Sequence, residues 1–111
     1  IVMGDFNDYA DSPSLKPLYE CGLLNVSAQV KGKNGAEGTY RYHGEWGSLD
    51  QILISDNLRP YVLSCYVNDA PFLLEEDMKY GGVKPRRHYN GMRYNNGFSD
   101  HLPLVLRLSI P

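Results

Sequence analysis

The sequence predicts an α/β fold of the α+β type, with mostly antiparallel strands, one short helix and one long loop. Short runs of β-branched, aromatic and other apolar residues recur along the chain, and turn residues separate them. A single segment has the i, i+3, i+4 apolar spacing of a helix, at Leu15, Leu18 and Tyr19. The 111 residues suffice for one small domain, and no internal repeat or domain boundary appears.

Composition narrows the class of protein. Hydrophobic residues make up 42% and charged residues 22%, which favours an ordinary globular domain over disorder. The net charge is -2, so strong non-specific binding to nucleic acid by this chain is disfavoured. No apolar run approaches the roughly 20 residues of a membrane span. Cys21 and Cys65 lack metal-type spacing, and we expect two small buried thiols rather than a disulfide.

The first element is a strand at residues 1–3, which we expect to be buried and to end at Gly4. Asp5 and Asn7 follow, and residues two apart on an extended chain point the same way. They could face one point beyond the strand, where α/β folds place ligands. A carboxylate there accepts a proton or holds a cation, and an amide donates to negative charge. The alternative is a simple turn over residues 4–8, because Gly, Asn and Asp favour turns.

A short helix is predicted over residues 12–21. Ser12 can cap it, and Pro13 suits its first position. Gly22 is a good stop signal. The apolar residues of segment 23–26 then carry the chain back under the domain.

A Gly-rich polar loop is predicted at residues 31–38. Alternating β-formers at 39–43, a turn at 44–47 and a strand at 48–55 together predict a hairpin. Asp50 is a carboxylate at the entrance to an otherwise buried strand, and burying a lone carboxylate is costly. It therefore needs a partner, such as a histidine, unless it lies in water at the edge of the sheet.

The rest of the chain has a turn at 56–60, a strand at 61–67, a long irregular loop at 68–98 and a last strand at 104–108. Basic residues in the loop alternate with tyrosines, a combination that suits phosphate, base or sugar contacts. Its candidate substrate-binding residues are Arg86, Arg87 and Arg93, with Lys84, His88, Tyr80, Tyr89 and Tyr94 around them. The alternative is a mobile, solvated loop.

Three motifs follow one another along the chain: Gly-Asp-Phe-Asn at 4–7, Leu-Asp-Gln-Ile-Leu-Ile-Ser at 49–55 and Ser-Asp-His-Leu-Pro-Leu at 99–104. With these motifs the sequence resembles the endonuclease/exonuclease/phosphatase superfamily. That group includes deoxyribonuclease I-like nucleases, exonuclease III-like abasic endonucleases, sphingomyelinases and inositol-phosphate phosphatases. The resemblance runs over residues 1–108 and matches the C-terminal half of the family's domain. It implies half of a four-layer α/β/β/α sandwich.

The resemblance also implies a role for each matching residue. Asp5 would orient or deprotonate the attacking water and help to bind the metal, and Asn7 would donate to the phosphate oxygens. Asp50 would hold the ring of His101 and fix its tautomer, and His101 would contact a phosphoryl oxygen. Asp100 would help to bind the divalent cation, Mg²⁺ or Mn²⁺. Hydrolysis of a phosphate ester needs such a water, metal and donors.

The family's remaining site residues, a metal-binding Glu, an Asn and a second His or Tyr, belong to its N-terminal half and cannot be assigned here. We therefore expect residues 1–111 to be the C-terminal portion of a single domain. Its partner would be the missing N-terminal half of the same domain. The isolated chain would be inactive, with an exposed sheet face that invites dimerisation.

The implied function is divalent-metal-dependent phosphoester hydrolysis. The phosphorylated substrate stays open among nucleic acid, a lipid head group and a sugar phosphate. One alternative is a non-catalytic binding or scaffold module that keeps the fold. Another is a hydrolase built from Ser99, His101 and Asp50, which the absence of a Gly-x-Ser-x-Gly pattern disfavours.

Overall fold

The computed structural model describes all residues, 1–111, and has an α+β fold with one short α-helix. Every pair of neighbouring strands is antiparallel, as predicted. The strands are β1 (Val2–Asp5), β2 (Leu23–Asn25), β3 (Tyr40–Tyr42), β4 (Glu45–Gly47), β5 (Asp50–Ser55), β6 (Val62–Val67), β7 (Leu74–Glu76), β8 (Val83–Pro85), β9 (Tyr89–Asn90), β10 (Arg93–Tyr94) and β11 (Leu104–Leu108). The helix α1 is Lys16–Glu20, and 3-10 helices occupy Pro13–Leu15, Asp56–Tyr61 and Pro71–Leu73.

The sheet that positions the site has the order β1-β5-β2. Its middle strand β5 carries the apolar run 52–54, which is buried as predicted. Because β1 and β5 are antiparallel, the last residue of β1 lies opposite the first residue of β5. Asp5 and Asp50 are therefore directly paired across the two strands. The pairing explains how two carboxylates that are 45 residues apart in the sequence reach one edge of the sheet.

The expectation that the first strand is buried is wrong. The exposed fractions of Ile1, Val2 and Met3 are 59%, 39% and 71%. The strand forms, but β1 is an edge strand whose one neighbour is β5, and its apolar side chains are left open to solvent. An apolar strand needs a covering layer as well as a partner strand to become buried.

The predicted helix is present in a shorter and less regular form. A 3-10 turn leads into α1, Leu15 is fully buried, and Leu18 and Tyr19 are half-buried on the same side. Ser12 does not cap the helix with its side chain, because its Oγ accepts the backbone N–H of Tyr9 at 3.0 Å.

The hairpin predicted between residues 39–43 and 48–55 is wrong. Strand β3 pairs instead with β4, across a two-residue turn at His43 and Gly44, whose φ angles are 49° and 81°. Two positive φ angles in succession give the turn type that matches the twist of short hairpins. The chain thus reverses at residue 43, and β5 is left free to pair with β1 and β2.

The second packed unit consists of β6 and β11, which pair as a two-stranded sheet. Val67 and Leu102 form a buried cluster with Ala36. Just before β11, the backbone N–H of Leu102 donates to Thr39 O at 2.8 Å, and His101 forms a β-bridge with Tyr40. These contacts fix the segment that carries His101.

The stretch 68–98 is more ordered than predicted, because it contains the hairpins β7–β8 and β9–β10. The Gly-rich stretch 31–38 contains no helix or strand, as expected. Both cysteines are free, but the prediction of buried thiols fails for Cys21, which is exposed, while Cys65 is half-buried. None of the helices is long and apolar enough to cross a membrane.

Candidate active site

Side chains from three separate segments meet at the edge of the β1-β5-β2 sheet. Asp5 ends β1, Asp50 begins β5, and His101 precedes β11. The Nδ1 atom of His101 lies 2.8 Å from Oδ2 of Asp50, and its Nε2 lies 3.8 Å from Oδ2 of Asp5. The ligand atoms of all three residues fall within 4.8 Å of one another.

The contact between Asp50 and His101 orients the imidazole ring. The Asp50 and His101 side chains are 19% and 23% exposed, so the pair is largely shielded from water. A carboxylate acceptor at Nδ1 favours the tautomer with its proton on Nδ1, which directs Nε2 into the site. The partner that a shielded Asp50 requires is thus a histidine.

Asp5 is the more open carboxylate, with 43% of its side chain exposed. Its Oδ1 accepts the backbone N–H of Asn7 at 2.8 Å, and Asn7 has a φ of 51°. The chain is therefore already turning at Asn7, and the argument from an extended strand is wrong for this residue. The turn instead fixes Asp5 by a hydrogen bond, and Oδ2 faces His101. The exposed Asn7 side chain lies at the rim.

The family model for the endonuclease/exonuclease/phosphatase family matches residues 1–109 of the 111. The chain belongs to this family. The match bears out the resemblance carried by the three motifs. No curated protein and no solved structure matches the chain.

Members of the endonuclease/exonuclease/phosphatase family are typically metal-dependent, and the donor set of this site fits a divalent cation. Magnesium prefers carboxylate oxygens and retains several waters. Asp5 offers an open carboxylate, while Oδ2 of Asp50 is engaged by His101. The arrangement fits a cation held at Asp5, with the Asp50–His101 pair beside it.

The other predicted residues of the third motif lie apart from this group. Asp100 is exposed and lines a surface hollow with Arg87 and His88. Its role as a metal ligand stays a prediction. The Ser99 hydroxyl accepts the backbone N–H of His101 at 3.1 Å and makes no hydrogen bond with the ring. The geometry therefore offers no serine nucleophile.

Of the three predicted substrate-binding arginines, Arg87 is connected to the site through the ring of Tyr40. Its guanidinium carbon lies 5.6 Å from the centroid of the Tyr40 ring, which in turn lies 5.0 Å from that of His101. Arg86 is half-buried and Arg93 is exposed on β10, and neither side chain forms a hydrogen bond or ion pair with the site.

Sequence reasoning missed Gln51, which is completely buried beside Asp50. Its amide nitrogen donates to Asp8 O at 3.0 Å and to Ser48 O at 2.8 Å. These bonds tie the segment after β1 to the segment before β5, and so support both carboxylates. The signal was available, because one amide interrupts an apolar strand.

A turn further along the same segment holds Asp8 in place. The hydroxyls of Ser12 and Ser14 hold the pKa of Asp8 below its ordinary value. The Ser14 hydroxyl donates to its carboxylate at 2.6 Å. The residues after Asp5 thus form a hydrogen-bonded turn at the rim of the site.

An aromatic cleft of about 400 Å³ adjoins the group of three and was also not predicted. Leu49, the residue before Asp50, is part of its lining, and Tyr40 joins the cleft to His101. The rings of its lining are those of Tyr9, Tyr40, Tyr42, His43 and Trp46.

Proposed function

We propose that this chain forms the C-terminal part of a divalent-metal-dependent phosphoesterase domain. The observation that carries the proposal is the meeting of Asp5, Asp50 and His101 at one sheet edge in a member of this family. A positioned water and donors aimed at developing charge are what hydrolysis of a phosphate ester requires.

Each residue has a distinct part in this proposal. Asp5, held by the N–H of Asn7, orients the attacking water or accepts its proton. His101 directs Nε2 at a phosphoryl oxygen, while Asp50 holds the ring from the other side. The side-chain amide of Asn7 donates to a second phosphate oxygen from the exposed turn.

The proposed cofactor is Mg²⁺ or Mn²⁺. Asp5 is the ligand whose position supports this best, and Asp100 is a second candidate ligand. A bound divalent cation supplies Lewis-acid polarisation of the phosphoryl group.

We further propose that the chain packs against other residues of the same domain to form a four-layer α/β/β/α sandwich. The apolar side chains exposed on β1 support this, because an uncovered apolar face favours burial against another layer. In isolation we expect the chain to be inactive, and its open face is a candidate for self-association.

The proposed function is tested with the domain that contains this chain in its longer protein. Turnover is measured on nucleic acid, phospholipid head-group and sugar-phosphate esters with Mg²⁺ or Mn²⁺, and again with a chelator. We expect turnover of at least one class, abolished by chelation. A well-folded domain that hydrolyses none of them would support the non-catalytic binding module instead.

A further inference from the structure

In a second hollow, separate from the group formed by Asp5, Asp50 and His101, most of the charged side chains are positive. Its volume is about 240 Å³, and it lies between the β3–β4 turn and the β7–β8 hairpin. The charged side chains of its lining are Arg41, Lys79, Lys84 and Arg87, against the single carboxylate of Asp77. The chain as a whole has a net charge of -2, so this local excess of positive charge is not a general property of its surface.

The only carboxylate in the lining is already neutralised. Oδ2 of Asp77 accepts Nη1 of Arg41 at 3.1 Å, and its Oδ1 accepts the backbone N–H groups of Lys79 and Tyr80 at 3.1 and 2.9 Å. The guanidinium of Arg41 also donates to Gly81 O, Val83 O and Gly44 O. This buried pair holds the hairpins together and itself contributes no net charge, so the charge of the hollow comes from its three other cations.

Three cations of the lining have no close carboxylate partner, and one of them, Arg87, donates from Nη2 to the backbone oxygen of Arg41 at 2.9 Å. Lys79 and Arg87 have no carboxylate oxygen within 4.0 Å. Lys84 has one distant partner, Glu75 at 3.9 Å, which also accepts the side-chain amide of Asn95. Such a cluster of under-paired cations is electrostatically suited to an anion.

The walls of the hollow are packed against one another. The Tyr42 and His43 rings stack with their centroids 3.9 Å apart, and the β3–β4 turn packs against the Tyr80 ring. A Cβ at Gly44 would lie 2.6 Å from Cγ of Tyr80, so the contact is close. Packing of this kind pre-organises a wall and so lowers the entropic cost of holding a ligand.

The hollow adjoins the candidate active site. Arg87 lies in its lining and over the ring of Tyr40, which contacts His101. Tyr42 and His43 line both this hollow and the aromatic cleft. A substrate whose reacting phosphate lies at Asp5 and His101 thus has a cationic hollow one aromatic ring away.

We propose that Lys79, Lys84 and Arg87 bind a second phosphate group of the substrate, one that is not hydrolysed. The identity of the ligand as a substrate phosphate rests on the proposed function. The existence of an anion site in the hollow does not rest on it. The volume of about 240 Å³ has room for a compact phosphate group, and the charge of the lining is of the opposite sign. The preferred substrate then carries at least two phosphate groups.

Binding is tested first on the metal-free domain that contains this chain, with inorganic phosphate as the probe, by following backbone amide resonances. Without a cation, Asp5 and Asp50 disfavour anion binding at the active site, and the positions of the shifted resonances show where phosphate binds. We expect shifts at residues 42–44 and 77–87. Shifts confined to residues 5–7 and 101 would overturn the assignment.

The Lys79→Ala/Lys84→Ala double variant should weaken phosphate binding about tenfold or more, because it removes two charge-assisted contacts. The matched control is Lys16→Ala/Lys33→Ala, which removes the same charge from exposed positions elsewhere. If phosphate binding were weakened equally in both double variants, the binding would reflect the overall charge of the protein, and the proposed site would be refuted. Lys84→Gln replaces the double variant if the latter loses its folded spectrum.

The second test uses the active domain and pairs of esters that differ by one additional phosphate, a dinucleotide pair and a sugar-phosphate pair. The double variant should raise KM about tenfold for the doubly phosphorylated member of the preferred pair, with kcat unchanged. The singly phosphorylated member should be unaffected. The same change in KM for both members of the pair would contradict the proposal. Absence of turnover on every ester would instead contradict the proposed function. In that case the phosphate titration alone would decide whether the anion site exists.

Discussion

The Nδ1 atom of His101 lies 2.8 Å from Oδ2 of Asp50, although 51 positions separate the two residues in the chain. Two backbone features bring them together. Asp50 is fixed at the start of β5 by pairing with Asp5, and His101 is fixed by its β-bridge to Tyr40. The side-chain contact is thus determined by strand register, and it leaves the other ring nitrogen of His101 facing Asp5.

Replacing Asp50 with Asn should lower turnover of the active domain, but by less than replacing His101 with Ala. An amide can donate to Nδ1, which favours the tautomer with the wrong nitrogen protonated. Steady-state kinetics of the two variants and the nitrogen resonances of the His101 ring check this. Turnover equal to wild type, with the same ring tautomer, would remove the positioning role of Asp50.

Asp69 is expected to be essential for the fold of the loop at residues 31–38. The residue is 4% exposed, and its carboxylate accepts the backbone N–H groups of Lys33, Asn34 and Ala36 at 2.9, 2.7 and 3.0 Å. Asp69→Ala leaves three donors without their partner, which should cost about 3 kcal/mol or more of unfolding free energy. Chemical denaturation measures this change.

The control for Asp69 is Asp56→Ala, which removes an exposed carboxylate from the Asp56–Tyr61 helix. It should change the unfolding free energy by less than about 0.5 kcal/mol. Gly32→Ala should behave like Asp69→Ala, because a Cβ at this position would overlap the Asp69 carboxylate at 2.1 Å. A small effect of both Asp69→Ala and Gly32→Ala would show that the loop does not depend on this contact.

Asp77 makes the stability of the fold depend on acid pH. The hydrogen bond from the Tyr80 backbone N–H, together with that from Lys79 and the charge of Arg41, holds the pKa of Asp77 below its ordinary value of 3.8. A carboxyl group whose pKa is lower in the folded than in the unfolded state stabilises the fold at pH values above 3.8. This contribution to the free energy of unfolding is lost as the pH falls through the pKa of the folded state. Thermal unfolding between pH 2 and pH 7 should therefore show a fall in Tm below about pH 3.8. In Asp77→Asn that part of the pH dependence should be absent, and a curve unchanged from wild type would contradict the assignment.

The two free thiols should differ in reactivity at neutral pH. Cys21 is exposed, whereas burial raises the pKa of the Cys65 thiol and lowers its thiolate fraction. A thiol-specific reagent should therefore give a fast phase from Cys21 and a slow phase from Cys65. Cys21→Ser should remove the fast phase, and its persistence would mean that Cys65 is accessible.

Local patterns in the sequence were sufficient for much of the fold and for the residues of the site. The apolar run of β5, the Gly22 stop and the motif around His101 each depend on neighbouring residues, and each matches the structure. Asp50 could be recognised as a carboxylate in need of a partner because the cost of burying charge is a local property.

Features that depend on long-range packing were not predictable in the same way. The exposure of Val2 depends on whether another layer covers β1, and the pattern of apolar residues within β1 does not determine this. The partner of β3 depended on where the chain turns. The residues were compatible with a turn at His43 and Gly44 or with a later turn at 44–47, and the positive φ angles of His43 and Gly44 select the first. The hollow near Lys84 brings together residues from three hairpins, so no sequence spacing marks it.

The most direct test of the account compares kcat of the wild-type domain with those of His101→Ala and Asp5→Ala, in the presence of Mg²⁺ and on the best ester of the panel. Both side chains are placed to act on the reacting phosphate or its water, so each substitution should lower kcat about 10²-fold or more. Their circular dichroism and Tm should remain close to those of the wild type. A folded His101→Ala variant that turns over at the wild-type rate would contradict the central claim that Asp5, Asp50 and His101 form the catalytic centre.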